Sequence, residues 1–273
     1  MRARKSEGHT MQTSSEHPSR EDILNMALEC GASVAGVASV DRLRQSPAHK
    51  LESQLETYSG VGTVEPGEAT HDEPQWPQSL RSAIVFGLAH LKEAPWLDWW
   101  DGRKGTPGNR ELIQIASRLA KQLDEKGVQT EKLHYYPAKG GTFLKDAAVL
   151  AGLGCLGRNN LLITPEFGPR IRLRVLLTDL ELEPTGPIAF DPCAACDINC
   201  RNVCPQKAMD ESLYSPEKFG LDELPARDGS YDRHRCNEQM ETDMAAKDYA
   251  PELEAQAVKY CRRCEWVCPV GQK

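Results

Sequence analysis

The chain has no long apolar run. Its most hydrophobic stretches, Ser82 to His90 and Arg174 to Leu177, fall far short of the roughly 18 residues a membrane span needs, so no membrane partner is expected. Histidine is sparse, and none of the seven stands at metal-ligand spacing to another. Aromatic residues make up only 6%, although hydrophobic residues at 40% are enough for a buried core. Basic charge is also short: the net charge is −7, which argues against the basic patch of a nucleic-acid binder. Residues 1–19 are polar and lack the apolar centre of a secretory signal, so they are expected to be a tail outside the fold. A cytoplasmic, reducing location follows as an expectation. There, clustered cysteines read as metal ligands more than as disulfides.

Residues 20–185 read as a mixed α/β domain. Ser19 predicts the cap of a helix over Arg20 to Glu29, ended by Cys30-Gly31. Ser33 to Val40 and Ser82 to His90 have strand length and composition, and Gly60 to Pro77 between them reads as a long loop. Asn109 is expected to cap a helix carrying Leu112, Ile115, Leu119 and Leu123, closed by Gly127. Lys132 to Tyr136 is expected to be a strand, and Phe143 to Gly152 a short helix. Ile171, Leu173, Val175 and Leu177 alternate with Arg172 and Arg174, which predicts a strand with one wet face.

The prolines and glycine of Glu183 to Pro192 mark a boundary, after which 186–273 forms a second domain. It has 16 acidic and 11 basic residues, little apolar periodicity and eight of the ten cysteines, so metal must serve as its core. The first group is Cys193-x2-Cys196-x3-Cys200-x3-Cys204-Pro205; the second is Cys236, then Cys261-x2-Cys264-x3-Cys268-Pro269. Two-cluster ferredoxins send the cysteine before proline across to the other cluster. The same exchange here gives one [4Fe–4S] cluster on Cys193, Cys196, Cys200 and Cys268, and another on Cys204, Cys236, Cys261 and Cys264. Paired C-x2-C would also suit two zinc ions. Against zinc stand the two Cys-Pro endings, the absence of spaced histidines, and four cysteines within 12 residues. The usual ferredoxin run has two residues between its second and third cysteines. Here Asp197-Ile198-Asn199 intervene, so a local bulge is expected.

The stretch Ala147-Ala148-Val149-Leu150-Ala151-Gly152-Leu153-Gly154-Cys155-Leu156-Gly157-Arg158-Asn159-Asn160 resembles the AGLGW-x-GKN signature of epoxyqueuosine reductases. Leu161 to Thr164, Leu177 to Leu182, and Cys236 behind Tyr231 and His234-Arg235 are similar to the same family. The resemblance covers about residues 20 to 270 and is most specific at Ala151 to Asn160 and at the cysteines. It implies an α+β architecture: an N-terminal mixed α/β cobalamin-binding domain related to nitroreductases, then a bacterial-ferredoxin-like domain with two [4Fe–4S] clusters. Reductive dehalogenases share that arrangement. Cobalamin contacts are implied at Gly152, Leu153, Gly154, Cys155, Gly157, Arg158 and Asn159, with the glycines letting backbone approach the flat corrin. Without the family, such a glycine-rich turn reads as tight helix-to-strand packing.

Two departures from the family bear on function. The aspartate that serves the family as general acid falls, by ungapped counting, on Ala138. Lys139 and Tyr136, or Tyr135 and His134, are the candidate proton donors. The sequence ends at Lys273, without the helical repeats that help many epoxyqueuosine reductases hold tRNA, so tRNA is not the expected substrate. The leading expectation is a reductase taking electrons from a low-potential donor such as ferredoxin or flavodoxin, through two clusters and a corrinoid, to a small molecule. Its alternatives are an electron-transfer protein that activates a separate corrinoid protein, and a true epoxyqueuosine reductase. Trp96, Trp99 and Trp100, near Arg103 and Lys104, read either as a lid or as packing against a sheet edge.

Overall fold

The computed structural model describes residues 17–51, 54, 76–100, 105–220, 222–225, 227–245, 257–258 and 261–272, leaving aside the side chains of Trp99, Trp100, Ala138, Met244, Ala257 and Val258. Most of the loop expected at 60–77, and Arg103 and Lys104, lie outside the described residues.

Helix α1, Arg20–Glu29, begins at a capping box: Ser19 accepts from the Asp22 N–H, and the Asp22 side chain accepts from the Ser19 N–H. Strand β1, Val34–Ser39, leads into two short helices, α2 (Val40–Arg44) and α3 (Pro47–Leu51). Strand β2, Ser82–Ala89, is followed by a 3-10 turn, Pro95–Asp98, and a two-residue strand β3, Trp99–Trp100. The 18-residue helix α4, Pro107–Asp124, starts two residues before the expected cap. Thr106 is the cap, because its hydroxyl accepts from the Asn109 N–H and Pro107 suits the first helical position.

Strand β4 is Thr130–Glu131 only, and the strand expected over Lys132 to Tyr136 is absent. Instead Tyr136 opens a 3-10 turn, Pro137–Lys139, that closes on left-handed Gly140. Helix α5, Leu144–Leu150, then precedes the small strands β5 (Cys155–Leu156) and β6 (Leu162–Ile163), and β7, Ile171–Thr178, completes the sheet.

The sheet order is β1-β2-β7-β4, antiparallel throughout. Period-two alternation splits its residues between two cores. Ile84, Phe86 and Leu176 pack under α1 and α4, while Ala83, Val85, Leu173 and Val175 pack against α2 and α5. The expected wet face of β7 is not wet. Leu176 is buried there, Arg172 is ion-paired to the C-terminal segment, and the Arg174 guanidinium lies 4.0 Å from the Tyr135 ring centroid.

The boundary at Glu183 to Pro192 is strapped to the sheet. Thr185 donates its N–H to the Val37 carbonyl and its hydroxyl to the Ala151 carbonyl. Beyond it, the described residues form four helices, α6 (Asn199–Asn202), α7 (Pro216–Phe219), α8 (Arg233–Ala245) and α9 (Arg263–Trp266). A strand β8, Ala257–Val258, pairs with β3. Among the described residues no helix is long and apolar enough to cross a membrane.

Candidate metal centre

Cys193, Cys196, Cys200 and Cys268 line one cavity of about 280 Å³, together with Arg158 and Asn159. Local chemistry explains how three of these thiols converge. The Cys193 N–H donates to the Asp191 carboxylate, which is itself paired with Arg227 at 2.5 Å. The additional residue between Cys196 and Cys200 is accommodated by Ile198, held left-handed at φ 61. A β-branched residue adopts that conformation only when its surroundings impose it. Helix α6 then carries Cys200 in its first turn.

The fourth thiol arrives from the far end of the chain. The buried Arg170 guanidinium, beside the start of β7, donates to the carbonyls of Glu265, Cys268 and Val270, and Gln272 also donates to the Cys268 carbonyl. The sheet thereby fixes the Cys-Pro turn.

The thiols are mutual neighbours electrostatically. Burial pushes the Cys200 thiol up, and Cys193, Cys268 and Cys196 push it further in the same direction. Such a group resists becoming thiolate by itself, and a cationic centre would supply the missing compensation. Arg158 fits that reading. Its Nε is buried with no hydrogen-bond partner among the described residues, and the residue lines the cavity. Among the described residues no three His, Cys, Asp or Glu side chains converge as a single-ion site.

The second set is arranged around α8 and α9. Burial raises the Cys264 thiol, followed by Glu265, Cys236 and Cys261. Burial likewise raises Cys261, with Asp243 and Cys236 acting in the same sense. Cys204 is joined to Cys236 by a short ladder. The Cys204 sulfur accepts from the Ala208 N–H at 3.4 Å, the Ala208 carbonyl from the Asp232 N–H, and the Asp232 carbonyl from the Cys236 N–H.

The signature loop sits against the first set, but its glycines face inward. A Cβ on Gly152 would lie 2.7 Å from the Thr185 carbonyl oxygen, and one on Gly154 would lie 2.0 Å from that of Ile163. At Gly157 it would meet the Asn159 side chain and Ile163. These glycines are therefore required by the chain's own packing. Leu153 belongs to the core, and Asn159 bridges the Cys264 carbonyl to the Leu161 N–H. Cys155 packs on the apolar group of Ile163, Cys193 and Cys268, and burial followed by Cys193 pushes its thiol up to about 11.

The proton-donor candidates lie apart from this cavity, in the turn of residues 134–141. The Tyr136 N–H donates to His134 Nδ1, and the Gly141 N–H returns to the Tyr136 carbonyl. Burial raises the Tyr136 phenol, Tyr135 adds to this, and Arg174, Lys139 and Arg233 oppose it. Tyr136 and Lys139 are thus neighbours across the turn that holds Ala138. Sequence reasoning missed Lys145, whose ammonium is pushed down to about 8 by burial. It donates to the Asn160 carbonyl at 2.8 Å and faces the Tyr231 ring at 5.7 Å. Its only sequence signal is a lysine in the second position of a short apolar helix.

No family model matches the chain. It is 37% identical over 194 residues to a tetrachloroethene reductive dehalogenase of Dehalobacter restrictus, covering 65% of this chain and 34% of that protein. It is 28% identical over 213 residues to an epoxyqueuosine reductase of Listeria monocytogenes, covering 70% of this chain and 52% of that one. The chain therefore spans about a third of the dehalogenase and about half of the epoxyqueuosine reductase. The epoxyqueuosine reductase structure from Streptococcus thermophilus superposes with a TM-score of 0.57 at 22% identity, over 93% of this chain and 66% of that one. A reductive dehalogenase structure described as suggesting a mechanism for B12-dependent dehalogenation gives 0.58 at 19% identity, over 98% of this chain and 34% of that one. This chain has the mixed α/β fold of both and is a relative of both families.

Proposed function

We propose that this relative of the two reductase families is an iron–sulfur reductase that carries electrons through two [4Fe–4S] clusters towards a corrinoid. The observation that carries the reading is the single cavity lined by Cys193, Cys196, Cys200 and Cys268, cysteines drawn from two separate groups. One cluster would be held there. The other would be held by Cys204, Cys236, Cys261 and Cys264, around α8 and α9. Each supplies a one-electron store whose potential the protein sets through charge, hydrogen bonds and burial. Arg158 would donate to the first, and Asn159, bonded to the Cys264 carbonyl, would keep the signature loop pressed against both.

A corrinoid would supply a cobalt centre for reduction of the substrate. Gly152, Gly154 and Gly157 serve the chain's own packing, and no step is assigned to the corrinoid there. The chain's own acid chemistry is proposed at Tyr136 and Lys139. A phenol raised by burial stays protonated at neutral pH and can donate when the substrate leaves as an anion. A ferredoxin- or flavodoxin-type donor and a small-molecule substrate complete the proposal.

The missing aspartate favours a second reading, in which the corrinoid resides on a partner protein and this chain only reduces it. Anaerobic reconstitution with iron and sulfide, followed by titration with hydroxocobalamin read by visible absorbance, separates the two. Saturable spectral change by the chain alone supports the reductase. Eight iron per chain with no corrinoid binding supports the activator. Failure to assemble any cluster ends both.

A further inference from the structure

Five charged or polar side chains meet at the junction between the sheet and the second cysteine group. Asp98, at the end of the Pro95–Asp98 turn, accepts from His90 Nδ1 at 2.8 Å through one carboxylate oxygen and is paired with Arg172 at 3.4 Å. Its other oxygen accepts from Arg262 Nη1. Arg262 also donates to the His90 carbonyl at 2.8 Å and to Glu265, and its guanidinium lies 3.8 Å from the Trp266 ring centroid. Glu265 completes the circuit by accepting from Arg172 at 2.7 Å. Asp98 is 1% exposed, Glu265 3% and Arg262 7%.

Two carboxylates thus balance two guanidiniums, with Asp98, Glu265 and Arg262 buried and Arg172 a quarter exposed. The position of Arg262 is the informative part. It stands between Cys261 and Cys264, while Asp98, which balances it, and Arg172, which balances its neighbour Glu265, come from sequence positions 164 and 90 residues before it. Docking the C-terminal segment needs apolar contact or hydrogen bonds to its backbone, and the Arg170 guanidinium already donates three of the latter. A largely buried, charge-balanced quartet adds something docking does not need: a fixed electrostatic potential at the cysteines it flanks.

We infer that Asp98 and Arg172 are positioning residues that, by compensating Arg262 and Glu265, set the reduction potential of the cluster bound through Cys261 and Cys264. This rests on the two-cluster reading above. The electron concerned comes from the external low-potential donor and adds to the oxidised cluster, making it one unit more negative, with no bond broken and no proton required. Uncompensated positive charge beside the cluster favours that reduced form; uncompensated negative charge disfavours it.

The test uses the reconstituted full chain and two substitutions of opposite sign, Asp98→Asn and Arg172→Gln, in redox titrations followed by electron paramagnetic resonance. Asp98→Asn should raise the potential of this cluster, so that at the wild-type midpoint the reduced-to-oxidised ratio rises about tenfold, equivalent to about 59 mV. Arg172→Gln should lower that ratio. Unmoved potentials in both variants would overturn the inference, as would shifts of the same sign. Loss of this cluster from both variants, with circular dichroism unchanged, would overturn it too, because the network would then only hold the segment. A wild-type chain that assembles no cluster at all would instead sink the two-cluster reading itself.

Discussion

The sheet domain and the cysteine region are held together by different physics. In the sheet domain, Phe86, Ile84, Leu112, Ile115, Leu119 and Leu176 are all but fully buried in one continuous layer. In the described part of the cysteine region, the buried apolar side chains besides the cysteines are Ala208, Met209 and Met240. Ion pairs take over there: Arg201 with Asp228, Arg227 with Asp191, Arg235 with Glu211. Pairs of this exposed kind contribute roughly 0–1 kcal/mol each, too little to order the region. The difference teaches that one half has an apolar core to fold on, whereas the described part of the other has little, which is what the proposed clusters would make good.

The largest effect should come from breaking the thiol set. Cys268→Ala removes one wall of the cavity, and reconstituted protein should retain about half the iron and sulfide of wild type if each cluster needs four thiolates. The sheet domain should keep its far-ultraviolet circular dichroism. Full iron content in this variant would show that Cys268 is not a ligand. The converse break is Phe86→Ala, which empties the layer between α1, α4 and the sheet and should cost about 3–5 kcal/mol. Chemical denaturation followed by circular dichroism measures it, and a cost under about 1 kcal/mol would contradict a core organised around that ring.

The same division governs what could be read from the sequence. Helix α1 was legible because Ser19 and Asp22 make a cap within four residues, and β2 because an unbroken apolar run has strand length. The cysteine groups were legible for a similar reason: ligand spacing is local. Even the bulge at Ile198 announced itself as one residue too many. Arg172 was not legible. An arginine alternating with Leu173 reads as solvent-facing, and its partner Glu265 lies 93 residues away. The turn after Glu131 was equally hidden, because Lys132 to Tyr136 has strand-like composition while left-handed Gly140 and the close approach at Gly141 turn the chain away from the sheet.

A smaller effect sharpens the comparison through pH, because it acts on the sheet domain alone. His49 accepts the Phe143 N–H at Nε2 and shares a proton with Ser46 at Nδ1, and burial pushes its pKa down to about 4. The unfolded chain takes up this proton near pH 6.5, the folded chain only near pH 4. Stability is therefore fully present above pH 6.5 and lost as the pH falls towards 4, by about 2 kcal/mol after allowance for partial exposure. Denaturation of wild type and His49→Gln at pH 7 and pH 4.5 checks the sign. The variant should lose less on acidification, and equal losses would remove His49 as the cause.

The smallest effect separates two side chains three residues apart at the start of α4. Asn109 has the chemistry of a helix cap, yet its backbone N–H is the donor and the Thr106 hydroxyl the acceptor. Its own side-chain oxygen accepts from Arg174, the arginine stacked over Tyr135 in the proposed proton-donor turn. Thr106→Ala should therefore cost about 1 kcal/mol in global unfolding and leave the turn alone. Asn109→Ala should cost less than that in stability but free the Arg174 guanidinium to shift against Tyr135, which tyrosine fluorescence quenching and the Tyr136 titration would register. If Asn109→Ala proved the more destabilising of the two and left the tyrosines unchanged, Asn109 would be the cap after all. The link from α4 to the turn would then dissolve.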